Sequence, residues 1–380
     1  MSEWKKVKLG DILQVKKGDY ITKKEAREGI YPVILGGKEP AYFIDKYNHT
    51  GKAIVISRSG ASAGYVSFWN EPIFVTDGFL IEPKGGMTYE FLYYALKSKQ
   101  AILHKAQKGA AIPHVTPLLI GNIDFLLPNK DVQHRIATIL SRYDSLIENY
   151  QKQIKLLEEA AQRLYKEWFV DLHFPGHENV KIVDGVPEGW EKKKVGELGK
   201  VITGKTPSTA KKEYYGGQIP FITIPDMHTG IYPTSSQFLS SLGANSQSGK
   251  FIPANSLMVS CIGTAGLVCI TKEECQTNQQ INSLVLNDNY LLYYMYNTFL
   301  SLKGHLNNIG SNGATMTNVS KSKFESIEIL IPTNSISNLY NKAVEQSFRS
   351  IENLSSQIRL LTEARDRLLP KLMSGEIKVS

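Results

Sequence analysis

The sequence predicts an α+β chain: two duplicated, mixed β-rich α/β domains, separated by two long helices that form an intramolecular antiparallel coiled coil. Three observations predict it. The chain repeats itself once, with its motifs in the same order. Each copy ends in a long apolar stripe of heptad spacing. The excess of basic residues lies mainly in the two blocks outside those stripes.

The first block, residues 1–130, carries a net charge of +6 and opens Trp4-KKVKLGDILQVKKG. The fourth block, residues 189–333, carries +3 and opens Trp190-EKKKVGELGKVITG. At a shift of 186, Trp4 meets Trp190, Gly10 meets Gly196, Asp11 meets Glu197 and Gly18 meets Gly204. The middles correspond as well: AIVISRSGASAGYVSFW (53–69) is similar to LMVSCIGTAGLVCIT (257–271). Both read as strand, small-residue turn, strand. The ends GNIDFLLP (121–128) and FESIEILIP (324–332) both finish an apolar run with proline.

The central helix is expected over 131–170. Its apolar stripe runs Ile136, Leu140, Tyr143, Ile147, Tyr150, Ile154, Leu157, Ala161, Leu164 and Trp168, in steps of four and three. That is the a/d seam of a coiled coil. A linker with a charge of −3 follows over 171–188. The distal helix, 334–374, repeats the seam with Tyr340, Val344, Ile351, Leu354, Ile358, Leu361, Leu368 and Leu372, interrupted at Ser347 and Arg365. Residues 375–380 form a tail. QIKLLEEAAQRLYK (153–166) matches QIRLLTEARDRLLPK (357–371) at a shift of 204. A helix of this length with one apolar stripe must bury it, and the other helix supplies a matching one. Antiparallel pairing is expected, although sequence alone also admits a parallel pair.

Composition bounds the function. No apolar run approaches the length of a membrane span, and the N-terminus lacks an apolar signal core, so a cytoplasmic protein is expected. Cys261, Cys269 and Cys275 have no CxxC spacing and read as reduced thiols rather than a disulfide framework. Two basic blocks suggest nucleic acid.

Three patterns point to other chemistry. Gly199-KVIT-Gly204-Lys205-Thr206 fits the P-loop signature, which would make the chain a nucleotide hydrolase. A P-loop needs a helix beginning at Lys-Thr, and Pro207 follows here. Gly60-Ala-Ser62-Ala-Gly64 fits a nucleophile elbow, which also requires a following helix; YVSFW reads instead as a strand. His173 and His177 are separated by Pro175 and Gly176, so they cannot share a helix face as metal ligands do. A further alternative is a coiled-coil scaffold with two peptide-binding heads.

The helix ends carry a family resemblance. LYKEWFVDLHFPG (164–176) resembles the central conserved region, and RLLPKLMSGEI (367–377) the distal conserved region, of the specificity (S) subunits of type I restriction–modification enzymes. TNQQINSL (277–284) and GATMTNVSKSKFESIEILIP (313–332) are similar to stretches of their target-recognition domains. The resemblance implies a non-catalytic DNA-recognition subunit that reads one half of a bipartite duplex target with each domain. It implies two methyltransferase (M) subunits as partners and restriction (R) subunits recruited through that complex. It implies no cofactor on this chain, with S-adenosylmethionine and ATP on the partners. A specificity subunit serving a fused nuclease–methyltransferase is the near alternative.

Phosphate contacts need Lys, Arg, Ser, Thr or backbone N–H. Base edges favour Arg or Lys for guanine and Asn or Gln for adenine. Candidate contacts in the first domain are Lys16, Lys17, Lys23, Lys24, Arg58, Ser59, Ser62, Lys105, Lys108 and His114. In the second they are Lys205, Thr206, Lys211, Lys212, Thr264, Asn278, Gln279, Gln280, Asn282, Ser311, Asn312 and Thr315. The first domain contains only Arg27 and Arg58 as arginines and the second contains none. The second must therefore read bases with amides, hydroxyls or lysines. The adjacent amides 278–280 suit adenine, and their other possible role is to satisfy backbone groups in a turn.

Overall fold

The structure, a computed structural model, describes residues 4–22, 26–35, 37, 39–105, 114–311 and 317–379. The chain forms two compact units, Met1–Glu148 with Leu360–Ser380, and Asn149–Arg359. Each takes its sheets from one continuous stretch of chain and its helical layer from parts of both long helices.

Among its described residues the first unit contains nine strands: β1 (Lys5–Lys8), β2 (Leu13–Lys17), β3 (Tyr31–Ile34), β4 (Tyr42–Ile44), β5 (Lys52–Ser57), β6 (Val66–Asn70), β7 (Phe74–Val75), β8 (Gly78–Pro83) and β9 (Asp124–Leu127). They form an antiparallel four-stranded sheet in the order β2-β8-β5-β6, a small β4-β3-β7 sheet and a β1-β9 pair. Strand β5, KAIVIS, is β-branched and buried from its second residue onward, as a central strand covered on both faces should be.

The second unit opens with the hairpin β10 (Ile182–Val183) and β11 (Val186–Pro187). Asp184 and Gly185 turn it, both at positive φ, the conformation that favours an Asp-Gly turn between paired strands. Then come β12 (Glu191–Lys194), β13 (Gly199–Thr203), β14 (Tyr215–Ile222), β15 (Gln237–Leu239), β16 (Leu257–Ser260), β17 (Val268–Ile270), β18 (Gln276–Thr277), β19 (Ile281–Leu286) and β20 (Glu328–Ile331). The sheet orders β13-β19-β16-β17, β15-β14-β18 and β12-β20 repeat those of the first unit. In both small sheets the last pairing is parallel, β3 with β7 and β14 with β18. The sequence repeat is therefore a repeat of topology.

The first long helix runs Lys130–Tyr165 and continues through a widened π-type turn, Lys166–Val170. The Asn129 side chain caps it by accepting from Val132 N–H at 3.0 Å. The second runs Asn334–Ser374. It stops at Gly375, whose φ of +76° suits a left-handed C-cap.

In the first unit, Ile136, Ala137 and Leu140 share a core with Leu369, Leu372 and Met373. In the second, Ala161 shares a core with Tyr340, Val344, Phe348 and Ile351. The Tyr340 hydroxyl donates to the Ala161 carbonyl at 3.3 Å. The head of one helix meets the tail of the other in each unit, so the pairing is antiparallel. Every expected seam position is buried or half-buried: Ile136, Leu140, Tyr143, Ile147, Tyr150, Ile154, Leu157 and Leu164 on the first helix, and Val344, Ile351, Leu354, Ile358, Leu361 and Leu368 on the second. Leu146, Leu156, Leu339 and Leu360 lie off the seam and are exposed.

Candidate nucleic-acid interface

Strand register brings three loops together at one end of each four-stranded sheet. In the first unit, Lys17 pairs with Phe79 and Ser57 with Gly78. The residues after β2, after β5 and before β8 therefore emerge side by side. In the second, Thr203 pairs with Asn282 and Ser260 with Ile281, which gathers the matching loops.

The turn after β5 is held tightly. Gly64 N–H donates to the Ser57 carbonyl at 2.8 Å. At φ +81°, a Cβ on Gly64 would lie 2.7 Å from the Leu103 carbonyl oxygen, so only glycine fits. Strand β6 then begins at Val66, with no helix between, so Gly60–Gly64 is a strand-to-strand turn with Ser62 half-buried on it. Beside it, Arg58 lies 3.7 Å from the Asp77 carboxylate, and the Ser59 hydroxyl donates to the same carboxylate. His114 bridges to Ser59 and is exposed. Lys17 and Lys105 are exposed. Lys16 pairs with Glu82 at 2.7 Å, which ties its charge to the sheet. Lys23, Lys24 and Lys108 lie outside the described residues.

In the second unit the loop before β19 folds on its own amides. Asn278 Oδ1 accepts from Gln280 N–H at 3.1 Å, and its Nδ2 donates to Gln280 Oε1 at 3.0 Å. Gln280 Nε2 reaches the Ile262 carbonyl at 3.4 Å. Asn278 and Gln280 thus serve the turn, as Asn side chains commonly do. That leaves Gln279 exposed, its carbonyl oxygen accepting from the Thr206 hydroxyl at 2.7 Å. Lys205 and Thr264 are exposed at the same end. Lys211 points to the Tyr214 hydroxyl at 3.1 Å. Lys212 is exposed on the helical turn that follows, and Ser311 is exposed at the end of another helix. Asn312 and Thr315 lie outside the described residues.

Asn282 needs correction. Its side chain is 2% exposed and its Nδ2 faces the Cys261 sulfur and the Val319 carbonyl, each at 3.3 Å, while its oxygen accepts from Thr203 at 2.6 Å. These partners use both ends of its amide inside the fold, so it braces the turn after β16 rather than facing solvent. The phosphate-cradle pattern lacks the helix that it needs, as Pro207 led us to expect. Gly199–Thr203 is strand β13, and no helix starts at Lys205. Gly204 is glycine because a Cβ there would come within 2.2 Å of the Asn278 carbonyl oxygen.

Two supporting residues escaped the sequence reading. Buried Gln247 donates to the Lys205 carbonyl at 2.8 Å and to Gln276 Oε1 at 2.7 Å. Gln276, fully buried, donates onward to the Ala244 carbonyl at 3.0 Å. This amide chain fixes the loop that carries Lys205 and Thr206. Burial pushes the Cys261 thiol up to about 11 against a partial offset from Asn282, and pushes Cys269 and Cys275, in a separate core cluster, up to about 12. All three are free, neutral core groups.

Compared with known proteins, residues 1–159 and 187–361 match the family described as the type I restriction modification DNA specificity domain. The chain is 33% identical over 372 residues to the type I restriction enzyme HindI specificity subunit of Haemophilus influenzae, covering 80% of each chain. It is 30% identical over 341 residues to the type I restriction enzyme MjaIX specificity subunit of Methanocaldococcus jannaschii, covering 86% of this chain and 78% of that one. In fold it is similar to the crystal structure of a type I restriction–modification S subunit from M. genitalium, with a TM-score of 0.64 at 19% identity over 100% of this chain and 97% of that one.

Proposed function

The chain belongs to the type I restriction–modification DNA specificity family, and we propose that it recognises a bipartite duplex DNA target, one half-site per unit, on behalf of methyltransferase and restriction subunits. One observation carries this reading: the same three-sheet scaffold occurs twice and presents different polar side chains at the same sheet end. A binding fold used twice with altered tips suits two half-sites of different sequence. Exposed lysines such as Lys17, Lys105, Lys205 and Lys212 would meet phosphates, and binding should weaken steeply with salt. The Arg and Gln tips would meet base edges.

The spacer between the half-sites would be set by the coiled coil. Chemistry would reside on the partners: two methyltransferase subunits holding S-adenosylmethionine, and restriction subunits using ATP. The complex would work in the cytoplasm. None of the described helices is long and apolar enough to cross a membrane.

The test is to map modified bases in a host expressing this chain with its methyltransferase. A single motif of two short defined blocks, separated by a fixed number of unspecified bases, is expected. A continuous motif, or modification without sequence preference, would overturn the reading.

A further inference from the structure

We infer that Arg58, held by Asp77, is the guanine-reading residue of the first unit, so that its half-site contains a guanine contacted through O6 and N7. The inference rests on the specificity reading above.

It starts from a comparison of equivalent positions. Val115 N–H donates to the Arg58 carbonyl at 3.0 Å, and Val319 N–H donates to the Cys261 carbonyl at 2.9 Å. Arg58 and Cys261 therefore hold the same place after β5 and β16. In the second unit that place carries a buried thiol. In the first it carries a guanidinium whose side chain is 36% exposed at the sheet end where the three loops meet.

The guanidinium is oriented. Arg58 N–H donates to the Asp77 carbonyl at 3.2 Å, so the two residues are tied through the main chain as well as through their 3.7 Å ion pair. The Ser59 hydroxyl holds the other oxygen of the carboxylate. A carboxylate facing DNA repels phosphate, and here its charge is directed onto a cation. Arginine presents five donors in a planar fork. One side can rest on Asp77 while the opposite edge offers a bidentate pair, the geometry that matches guanine O6 and N7. Arg27, the other arginine of this block, lies beside the small sheet, where its carbonyl accepts from Asp45 N–H. Residues 189–333, which contain no arginine, offer Gln279 instead. The two half-sites should therefore differ in kind: one sensitive to guanine N7, the other read by an amide. Asp77 acts as a positioning residue.

The experiment uses the chain in complex with its methyltransferase and duplexes carrying the mapped motif. Each motif guanine is replaced singly by 7-deazaguanine, which pairs normally but lacks the N7 acceptor. Wild-type binding should fall about 10- to 100-fold at one guanine within one half-site. Arg58→Ala should bind the natural duplex that much more weakly and lose sensitivity to that substitution. Arg58→Lys should retain part of it, and Asp77→Asn should lower discrimination at that base without changing the salt dependence. The assignment is overturned if no guanine is N7-sensitive in the wild type. It is equally overturned if Arg58→Ala weakens natural and substituted duplexes alike while the sensitivity persists. Failure of the specificity reading looks different: the wild-type complex would bind all duplexes equally.

Discussion

The two helix junctions use one geometry and opposite chemistry. In the first unit, Arg365 donates to Asp144 at 2.6 Å, and the other carboxylate oxygen accepts from the Tyr94 hydroxyl at 2.6 Å. Burial opposes the Arg365 charge, but Asp144 and then Asp366 overcome it and raise the guanidinium's pKa. At the shift of 204 that relates the helices, Asp144 corresponds to Phe348 and Arg365 to Ala161. In the second unit Phe348 stacks on Tyr293 with ring centres 4.1 Å apart, while Ala161 lies buried in the same core. One duplicated joint thus became a hydrogen-bonded ion pair and the other an aromatic stack. An ion pair is matched only by its own partner, whereas an aromatic stack gains energy from any apolar neighbour.

The largest expected effect lies at the aromatic joint. Phe348→Ala should cost about 3–5 kcal/mol through lost burial and an unfilled cavity, read as a fall in the urea midpoint. Next comes the polar joint. Arg365→Ala should cost about 2–3 kcal/mol, because Asp144 keeps a half-buried charge without its cation. Asp144→Ala combined with Arg365→Ala should recover part of that loss. If the double variant is as unstable as the sum of the single ones, the two residues do not act as a pair and the contrast between the joints fails.

How much of this was legible follows from periodicity. The seam from Ile136 to Leu164 was readable because a helix buries residues in steps of three and four. The interruption at Arg365 was visible too, but its partner was not. Asp144 lies more than two hundred residues away in sequence, and no local pattern links them. The duplicated sheets could be seen in matched glycines and strand runs. The tips were harder. Asn278, Gln279 and Gln280 look alike in sequence, yet one faces solvent and the others close a turn. Asn282 was misassigned because β19 is buried on both faces, so alternation could not show which side of the sheet met solvent. Gln247 and Gln276 carried no signal beyond being amides.

A second contrast concerns alkaline stability. All three cysteines belong to the second unit and each has a raised pKa. Below the ordinary thiol range both folded and unfolded forms are protonated and nothing is lost. As pH rises through that range the unfolded chain releases protons while the buried thiols keep theirs, so stability falls from about pH 9 toward the folded values of about 11 and 12. The loss should be about 1 kcal/mol per thiol by one unit above the ordinary range. Cys269→Ala should have a flatter profile of urea midpoint against pH. An unchanged slope would place the alkaline loss elsewhere.

The smallest effect on stability, and the sharpest on recognition, is expected at Gln279. Gln279→Ala removes one exposed amide and its contact with Thr206, which should leave the urea midpoint within about 0.5 kcal/mol of the wild type. Asn282→Ala, three residues on, removes a buried amide and should lower that midpoint by about 1–3 kcal/mol. If Gln279 reads adenine, its loss should reduce discrimination at one position of one half-site about 10-fold, leaving the other half-site and the salt slope unchanged. Asn282→Ala should instead weaken recognition of its entire half-site by loosening the turn at Cys261. These are different footprints from neighbouring amides. They separate a side chain that meets DNA from one that holds the scaffold, a distinction composition could not make. Equal weakening on every sequence by Gln279→Ala would mean that it steadies the Thr206 loop and reads nothing.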